Sequence, residues 1–94
     1  MASLDRMVDR NLRGIQLERA GREDAAIVLY EANVADGFDG DHPYDSLRVI
    51  YTRRKDLARA LKVCEVATER LWRQPQKAAR FREHVKKLRQ KIER

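Results

Sequence analysis

The chain has 94 residues and a formal net charge of +6, and 43% of its residues are hydrophobic and 38% charged. This length suits one domain with a single core, and the composition favours solvated helices over a sheet, so we expect an all-α fold. One cysteine excludes an internal disulfide, and no apolar run approaches the roughly eighteen residues of a membrane span, so we expect a soluble, cytoplasmic protein.

Positive charge is concentrated at one end of the chain. Residues 73–94 contain nine Lys and Arg against two Glu, whereas residues 1–72 contain twelve basic and thirteen acidic residues. A domain that is basic throughout would suggest a nucleic-acid binder, but a neutral body with one basic terminal helix is compatible with several kinds of partner.

The first two helices are predicted from their ends. Ser3 can cap a helix over about residues 4–20, and Gly21 ends it because glycine tolerates a left-handed backbone. Glu23 favours the opening turn of a second helix, which runs to about Val34. Apolar residues lie on two sides of the first helix, so we expect both sides to be covered. They are Leu4, Val8, Leu12 and Ile15 on one side, and Met7, Gly14 and Leu17 on the other.

Small residues indicate where these two helices come close. Gly14 should cost about 1 kcal/mol relative to Ala in the middle of a helix, and close approach of the partner helix is the expected compensation. Ala26 is small at the position where the two helices should cross.

A turn-rich linker over residues 36–41 precedes a third helix, predicted from about Pro43 to Arg54 and capped by Asp41 or His42. After the third helix, Lys55 occupies the turn position that Gly21 holds after the first helix, so this turn must form without a glycine. Asp56 caps a fourth helix that runs to about Trp72.

Pro75 opens the fifth helix, whose apolar residues form one narrow stripe with basic residues on the other sides. The stripe consists of Ala78, Phe81, Val85, Leu88 and Ile92. A single apolar face is typical of a helix that caps the end of a repeat array.

The chain matches itself after a shift of 34 residues, with apolar residues of similar size in the same positions. The pairs are Ile15 and Val49, Leu17 and Tyr51, Arg19 and Arg53, Ala26 and Ala60, Ile27 and Leu61, Leu29 and Val63, and Glu31 and Glu65. Such an interval is typical of a helix-turn-helix repeat, so the pattern predicts two helical hairpins and a fifth helix.

These residues resemble the tetratricopeptide repeat (TPR) family, in particular its small bacterial-type members, over about residues 7–93. In the second copy, the family pattern is matched by Tyr44, Leu47, Tyr51, Ala60, Cys64 and Ala67. In the first copy, it is matched by Gly14, Leu17, Gly21, Ala26 and Tyr30. Arg13 departs from the pattern, which has Leu there, and Asn33 replaces a small apolar residue.

The resemblance implies a short right-handed α-solenoid in one domain, with repeats over about residues 4–35 and 43–72 and a capping helix over 75–94. It also implies a non-enzymatic adaptor that binds a peptide or an acidic partner segment on a concave face. On this chain the face would comprise Asn11, Leu12, Ile15, Arg19, Ser46, Val49, Thr52, Arg53, Arg80, Lys86 and Lys87. Some family members hold a peptide carboxylate with a Lys and an Asn, but Met7 stands one turn before Asn11, so this clamp is not predicted.

No catalytic residue, cofactor or metal is predicted. Cys64 falls in an apolar position, and nothing in the sequence places His42 or His84 beside it, so a buried thiol is expected. The aspartates of the linker lack the spacing and the final Glu of a calcium-binding loop.

Two other functions stay open. The basic terminal helix is compatible with nucleic-acid binding, although no base-reading motif accompanies it. Its apolar stripe has coiled-coil intervals, so the protein is expected to be a monomer or a weak homodimer. The pattern does not decide whether Phe38 and Trp72 are core or contact residues.

Overall fold

The computed structural model describes residues 2–94, and within that range the protein forms five helices and no strand. The helices are α1 (Leu4–Arg19), α2 (Glu23–Ala35), α3 (His42–Arg53), α4 (Leu57–Arg70) and α5 (Pro75–Glu93). The predicted all-α class is confirmed, and each predicted helix end lies within two residues of the one in the structure. None of the helices in residues 2–94 is long and apolar enough to cross a membrane.

The chain divides into two compact units, one ending at Phe38 and the other running from Asp39 to Arg94. Unit 1 contains α1 and α2, and unit 2 contains α3, α4 and α5. The sequence-based expectation of a single domain spanning the chain stays a prediction.

α1 begins and ends at the residues that the sequence indicated. The backbone N–H of Arg6 donates to the Ser3 hydroxyl at 3.3 Å, which satisfies one of the free N–H groups at the helix start. At the other end Gly21 has a φ of 74°, and the N–H of Arg22 donates to the carbonyl of Leu17 at 2.8 Å. This is a Schellman motif, which glycine favours because it has no Cβ to clash in the left-handed conformation.

The two helices of unit 1 are in close contact at Gly14. This glycine is buried, and a Cβ added to it would lie 2.5 Å from Cε1 of Tyr30. Tyr30 is itself fully buried, and its hydroxyl donates to the Glu18 carboxylate. The expected close approach at Gly14 is therefore confirmed, and Ala26 is fully buried as well.

A buried amide also connects α1 and α2. Asn33 is fully buried, and its Nδ2 donates to the carbonyl of Met7 at 2.7 Å. The guanidinium of Arg10 donates to Oδ1 of Asn33 at 3.4 Å and also forms an ion pair with Asp36. Buried polar groups are normally hydrogen-bonded, so Asn33 holds its place in an apolar position through these contacts.

One side of α1 is exposed, and the expectation that both sides are covered is wrong. Leu4, Val8 and Leu12 expose 60%, 41% and 54% of their surface. On the other side Gly14 is buried and Met7 is half-buried. The physical reason is that α2 packs over the side that carries Gly14, and one partner helix covers only the part of the surface around its closest contact.

The turn between α3 and α4 has the geometry of the turn after α1, but without glycine. Lys55 has a φ of 61°, and the N–H of Asp56 donates to the carbonyl of Tyr51 at 2.8 Å. These residues lie 34 positions after their counterparts in the first turn. The Asp56 carboxylate accepts from the N–H of Arg59 at 3.2 Å, which confirms the predicted cap. A side chain in the left-handed conformation costs roughly 1–2 kcal/mol, so the backbone is strained at Lys55.

The core of unit 2 combines residues from all three of its helices. Its buried hydrophobic residues are Tyr44, Leu47, Ile50, Tyr51, Ala60, Val63, Cys64, Ala67, Leu71, Ala78, Phe81, Val85 and Leu88. The rings of Tyr44 and Phe81 meet edge to face with centroids 6.3 Å apart, a favourable aromatic geometry. The predicted stripe on α5 is thus buried except for Ile92, which is 46% exposed because it lies in the last turn, beyond the cover of the neighbouring helices.

Leu71 and Trp72, which directly follow α4, differ sharply in burial. Leu71 is fully buried, whereas Trp72 is 67% exposed and has the guanidinium of Arg73 4.9 Å from its ring centre. Trp72 is therefore a surface residue, and Leu71 is the core residue at this end. Phe38 is half-buried in unit 1.

Ion pairs connect the start of α3 to the start of α5. Arg80 contacts the carboxylates of Asp45 at 2.8 Å and Asp41 at 3.1 Å, and Lys77 contacts Asp41 at 3.2 Å. Asp41 occupies the predicted N-cap position of α3, but its side chain makes no capping hydrogen bond. Its carboxylate is instead engaged by the two cations of α5.

Candidate partner-binding surface

The residues predicted to bind a partner are distributed over both units. In unit 1, Leu12 and Arg19 are exposed and Asn11 and Ile15 are half-buried. In unit 2, Val49, Arg53, Arg80, Lys86 and Lys87 are exposed, and Ser46 and Thr52 are half-buried. The structure brings two of them together, Thr52 of α3 and Lys87 of α5.

Thr52 and Lys87 line a small cavity between α3 and α5, which we call the cationic notch. Its volume is about 80 Å³. The lining residues are Arg48, Thr52, His84, Lys87, Leu88 and Lys91. Three of the six carry a permanent positive charge at neutral pH and none is a carboxylate, so the notch favours an anionic ligand.

Two buried polar atoms at the notch have no hydrogen-bond partner within residues 2–94. They are Nε of Arg48 and Oγ1 of Thr52. The two residues are four positions apart on α3, so their side chains lie on the same side of the helix, one turn apart. An unpaired buried polar group costs about 1–3 kcal/mol, so each atom would gain from an acceptor that came within hydrogen-bond distance of it.

The cations of the notch are largely free of acidic neighbours. Among the described residues, neither Lys87 nor Lys91 forms an ion pair. Arg48 makes one long contact of 3.4 Å from Nη2 to Asp45, and Asp45 is more closely held by Arg80 at 2.8 Å. The positive charge of the notch is therefore only weakly compensated.

The positive charges of the notch affect the pKa of His84. Burial lowers its pKa, and the charge of Arg48 lowers it further, while Asp45 opposes the shift and Arg80 and Lys87 add to it. The imidazole is therefore mostly neutral at neutral pH. Its ring also contacts that of Phe81, with centroids 6.2 Å apart.

Arg80 and Lys86, also predicted for partner binding, have different surroundings. Arg80 is engaged by Asp41 and Asp45. Lys86 lies 3.6 Å from Glu83 and lines a wider groove between α4 and α5, with a volume of about 390 Å³. The groove residues are Glu65, Thr68, Glu69, Arg82, Val85, Lys86 and Arg89, which carry charges of both signs. The adjacent residues Lys86 and Lys87 thus lie on different faces of unit 2.

Arg48, His84 and Lys91 belong to the notch but were missing from the sequence-based prediction. Helical spacing could have indicated Arg48 and Lys91. Arg48 precedes Thr52 by four residues and Lys91 follows Lys87 by four, so each shares a helix face with a predicted residue. What the spacing leaves open is which side of α3 faces which side of α5.

Cys64 is fully buried, and burial raises its pKa to about 12. The predicted buried thiol is confirmed. Within residues 2–94, no group of three or more His, Cys, Asp or Glu side chains is arranged to hold a metal ion.

Comparison of the chain with protein-family models, curated proteins and solved structures finds no match. The 34-residue correspondence therefore rests on this chain's own residues. Ala26 and Ala60 are each the fourth residue of a second hairpin helix, and both are fully buried. Tyr30 and Cys64, at equivalent positions one turn later, are also fully buried.

Proposed function

We propose that the protein is a non-enzymatic interaction module of the TPR type that binds an acidic segment of a partner protein on the α3–α5 face of unit 2. The observation that carries this proposal is the cationic notch, which is lined by Arg48, Lys87 and Lys91 and by no carboxylate of the described residues. Complementary charge across an interface speeds association and favours the correct partner.

The repeat type is supported by features that recur after 34 residues. Gly21 and Lys55 both have left-handed backbones in turns with the same hydrogen bonds. The buried Ala26 and Ala60 occupy equivalent places in α2 and α4. Modules of this type bind extended segments on the first helices of their hairpins, and α3 is such a helix.

A surface for the rest of such a segment lies beside the notch. Val49 precedes Thr52 by three residues, so the two side chains are neighbours on the surface of α3, and the side chain of Val49 is exposed. An acidic group in the notch and an apolar side chain on Val49 would together give the mixture of polar and apolar contacts typical of transient protein interfaces.

Homo-oligomerisation through the stripe of α5 is not part of the proposal. Phe81, Val85 and Leu88 are buried within unit 2 and pack against its own helices. Only Ile92 of the larger side chains in the stripe remains exposed.

Binding of a fluorescent glutamate-rich peptide, followed by anisotropy at low and physiological salt, tests the proposal. The variant Lys87→Gln/Lys91→Gln removes two charges from the notch, and Arg82→Gln/Lys86→Gln removes two from the groove on the other face of α5. The notch variant should bind about tenfold more weakly and with a smaller salt dependence, because steering charges act on the association rate. The groove variant should bind within about twofold of the parent.

Nucleic acid is the alternative ligand in the same measurement. A short DNA duplex that bound more tightly than the peptide at physiological salt, and that lost affinity equally in both double variants, would replace the proposal with diffuse binding of phosphates by α5. Equal peptide binding by the parent and the notch variant would also contradict it.

A further inference from the structure

The cationic notch contains more donors than a carboxylate needs. A carboxylate carries one negative charge on two oxygens. A phosphate monoester carries a charge of about −1.5 to −2 near neutral pH on three strong acceptor oxygens. The residues that line the notch carry two unpaired donors on α3 and two ammonium groups on α5, a number and a charge that fit the phosphate better.

We propose that the cationic notch binds a phosphate group, carried either by a small phosphate compound or by a phosphorylated side chain in the partner's acidic segment. In the second form the inference rests on the proposed function and names the group that the partner presents.

The two helices contribute in different ways. Nε of Arg48 and Oγ1 of Thr52 are buried, so they are already held in place and free of other partners within the described residues. Lys87 and Lys91 are exposed, and their flexible stems can bring an ammonium group to the outer oxygens of the ligand. Hydrogen bonds from charged donors to phosphate oxygens are among the stronger ones in proteins.

The size of the notch limits the ligand to a small group. Its volume of about 80 Å³ is about half that of an engineered cavity of roughly 150 Å³ that holds a benzene molecule. That space suits a single phosphate group and not a nucleotide base or a sugar. The remainder of any larger ligand must therefore lie outside, over the surface that includes Val49.

The wider groove between α4 and α5 does not offer the same chemistry. Arg89 is held by Glu65 at 2.9 Å, and Glu69 adds a second negative charge to the lining. A phosphate entering there would meet two carboxylates. This contrast makes the groove a matched control site on the same helix.

A titration of the isotope-labelled protein with inorganic phosphate, followed by nuclear magnetic resonance, tests the site. Sodium acetate and sodium chloride at the same ionic strength are the controls. We expect phosphate to shift the amide signals around Thr52 and Lys87 and the ring signals of His84, with saturation. Shifts of the same size with acetate or chloride, or shifts centred on Arg82 and Lys86, would overturn the inference.

Variants separate binding from folding. Lys87→Gln/Lys91→Gln should weaken phosphate binding by about tenfold or more, whereas Arg82→Gln/Lys86→Gln should leave it within about twofold. Thr52→Val removes a buried hydroxyl without changing the side-chain shape, so it should leave the thermal melt unchanged or raise it while weakening phosphate binding several-fold. Unchanged affinity in both Thr52→Val and the lysine variant would overturn the inference.

A second set of probes distinguishes the two sources of phosphate and separates this inference from the proposed function. The probes are O-phosphoserine, a glutamate-rich peptide, and the same peptide with one phosphoserine. Tighter binding of the phosphopeptide than of both other probes supports the partner-borne phosphate. If the phosphopeptide binds no better than O-phosphoserine, the site is for a small phosphate and the proposed function fails. If both peptides bind alike, the proposed function stands and the phosphate inference is wrong.

Discussion

The ring of Tyr30 lies so close to Gly14 that a Cβ on the glycine would be 2.5 Å from Cε1 and 2.9 Å from Cζ. Tyr30 is fully buried and hydrogen-bonded to Glu18, so the ring has little freedom to move aside. We therefore expect Gly14→Ala to destabilise the protein by roughly 1–3 kcal/mol, although alanine is the better helix former by about 1 kcal/mol. Unfolding in urea, followed by circular dichroism, measures the change.

A double-mutant cycle provides the control for this prediction. In the Tyr30→Ala background the clash is absent, so Gly14→Ala should now stabilise the protein by up to about 1 kcal/mol. A stabilising effect of the same size in both backgrounds would show that the contact is unimportant.

Lys55 is the non-glycine residue with a left-handed backbone in the described chain, with a φ of 61°. Lys55→Gly removes the Cβ strain but gives the unfolded chain more freedom, so the expected net gain in stability is roughly 0.5–1 kcal/mol. Arg54→Gly is the matched control, because Arg54 has a right-handed backbone and should lose stability on the same change. Thermal unfolding of the two variants should give shifts of opposite sign, and equal losses would contradict the prediction.

The ion pair between Arg10 and Asp36 makes the stability of unit 1 sensitive to acid. The hydrogen bond from Arg10 lowers the pKa of Asp36 below its ordinary value of 3.8, against the opposing effect of burial. A carboxylate with a lowered pKa contributes stability that is fully present above its unfolded value and lost as the pH falls through its folded value.

The variant Asp36→Asn isolates this contribution. The parent should be more stable than Asp36→Asn at about pH 5, and the difference should shrink as the pH falls towards about pH 2. Urea unfolding across this range measures it, with amide exchange in α1 and α2 assigning the change to unit 1. A difference that did not change with pH would mean that the ion pair contributes nothing.

Phosphate binding should raise the pKa of His84. Burial and the charges of Arg48, Arg80 and Lys87 lower this pKa in the free protein, with Asp45 opposing them. A bound anion offsets the positive charges, so the imidazole should accept a proton at higher pH when phosphate is bound. The ring signals of His84, titrated with and without phosphate, measure the shift. No movement of the His84 titration with phosphate would contradict the prediction.

The Cys64 thiol should react with labelling reagents only when the protein opens. Its side chain is fully buried, and burial raises its pKa to about 12, so the reactive thiolate is scarce and inaccessible in the folded state. An exposed cysteine introduced as Ala58→Cys in a Cys64→Ala background gives the reference rate. The native protein should react far more slowly than this reference, and equally fast labelling would show that Cys64 is accessible.

Local features could be predicted from the sequence because they depend on a few neighbouring residues. The cap at Ser3, the left-handed turn at Gly21 and the cap at Asp56 all follow from side-chain and backbone chemistry within one helical turn. The 34-residue correspondence predicted the buried Ala26, Ala60 and Cys64 for a related reason, since periodic apolar positions mark the face that a helix buries.

Contacts between helices were harder to predict, because they depend on the rotation of each helix about its axis. The apolar side chains of Leu4, Val8 and Leu12 have the spacing of a buried stripe, but α2 packs on another side of α1. The sequence identified Arg80 as a cation on α5. It did not predict that Arg80 forms ion pairs with Asp41 and Asp45.

The sequence by itself determined five helices, their ends and most of the core, because helix propensity, capping and apolar periodicity act over a few residues. Only the tertiary structure decided which cations share a site. Arg48 and Lys91 are 43 residues apart in the chain, and they line the same notch because of the way α3 and α5 pack in unit 2. Lys86 and Lys87 are adjacent but face different grooves, because successive residues on a helix point about 100° apart.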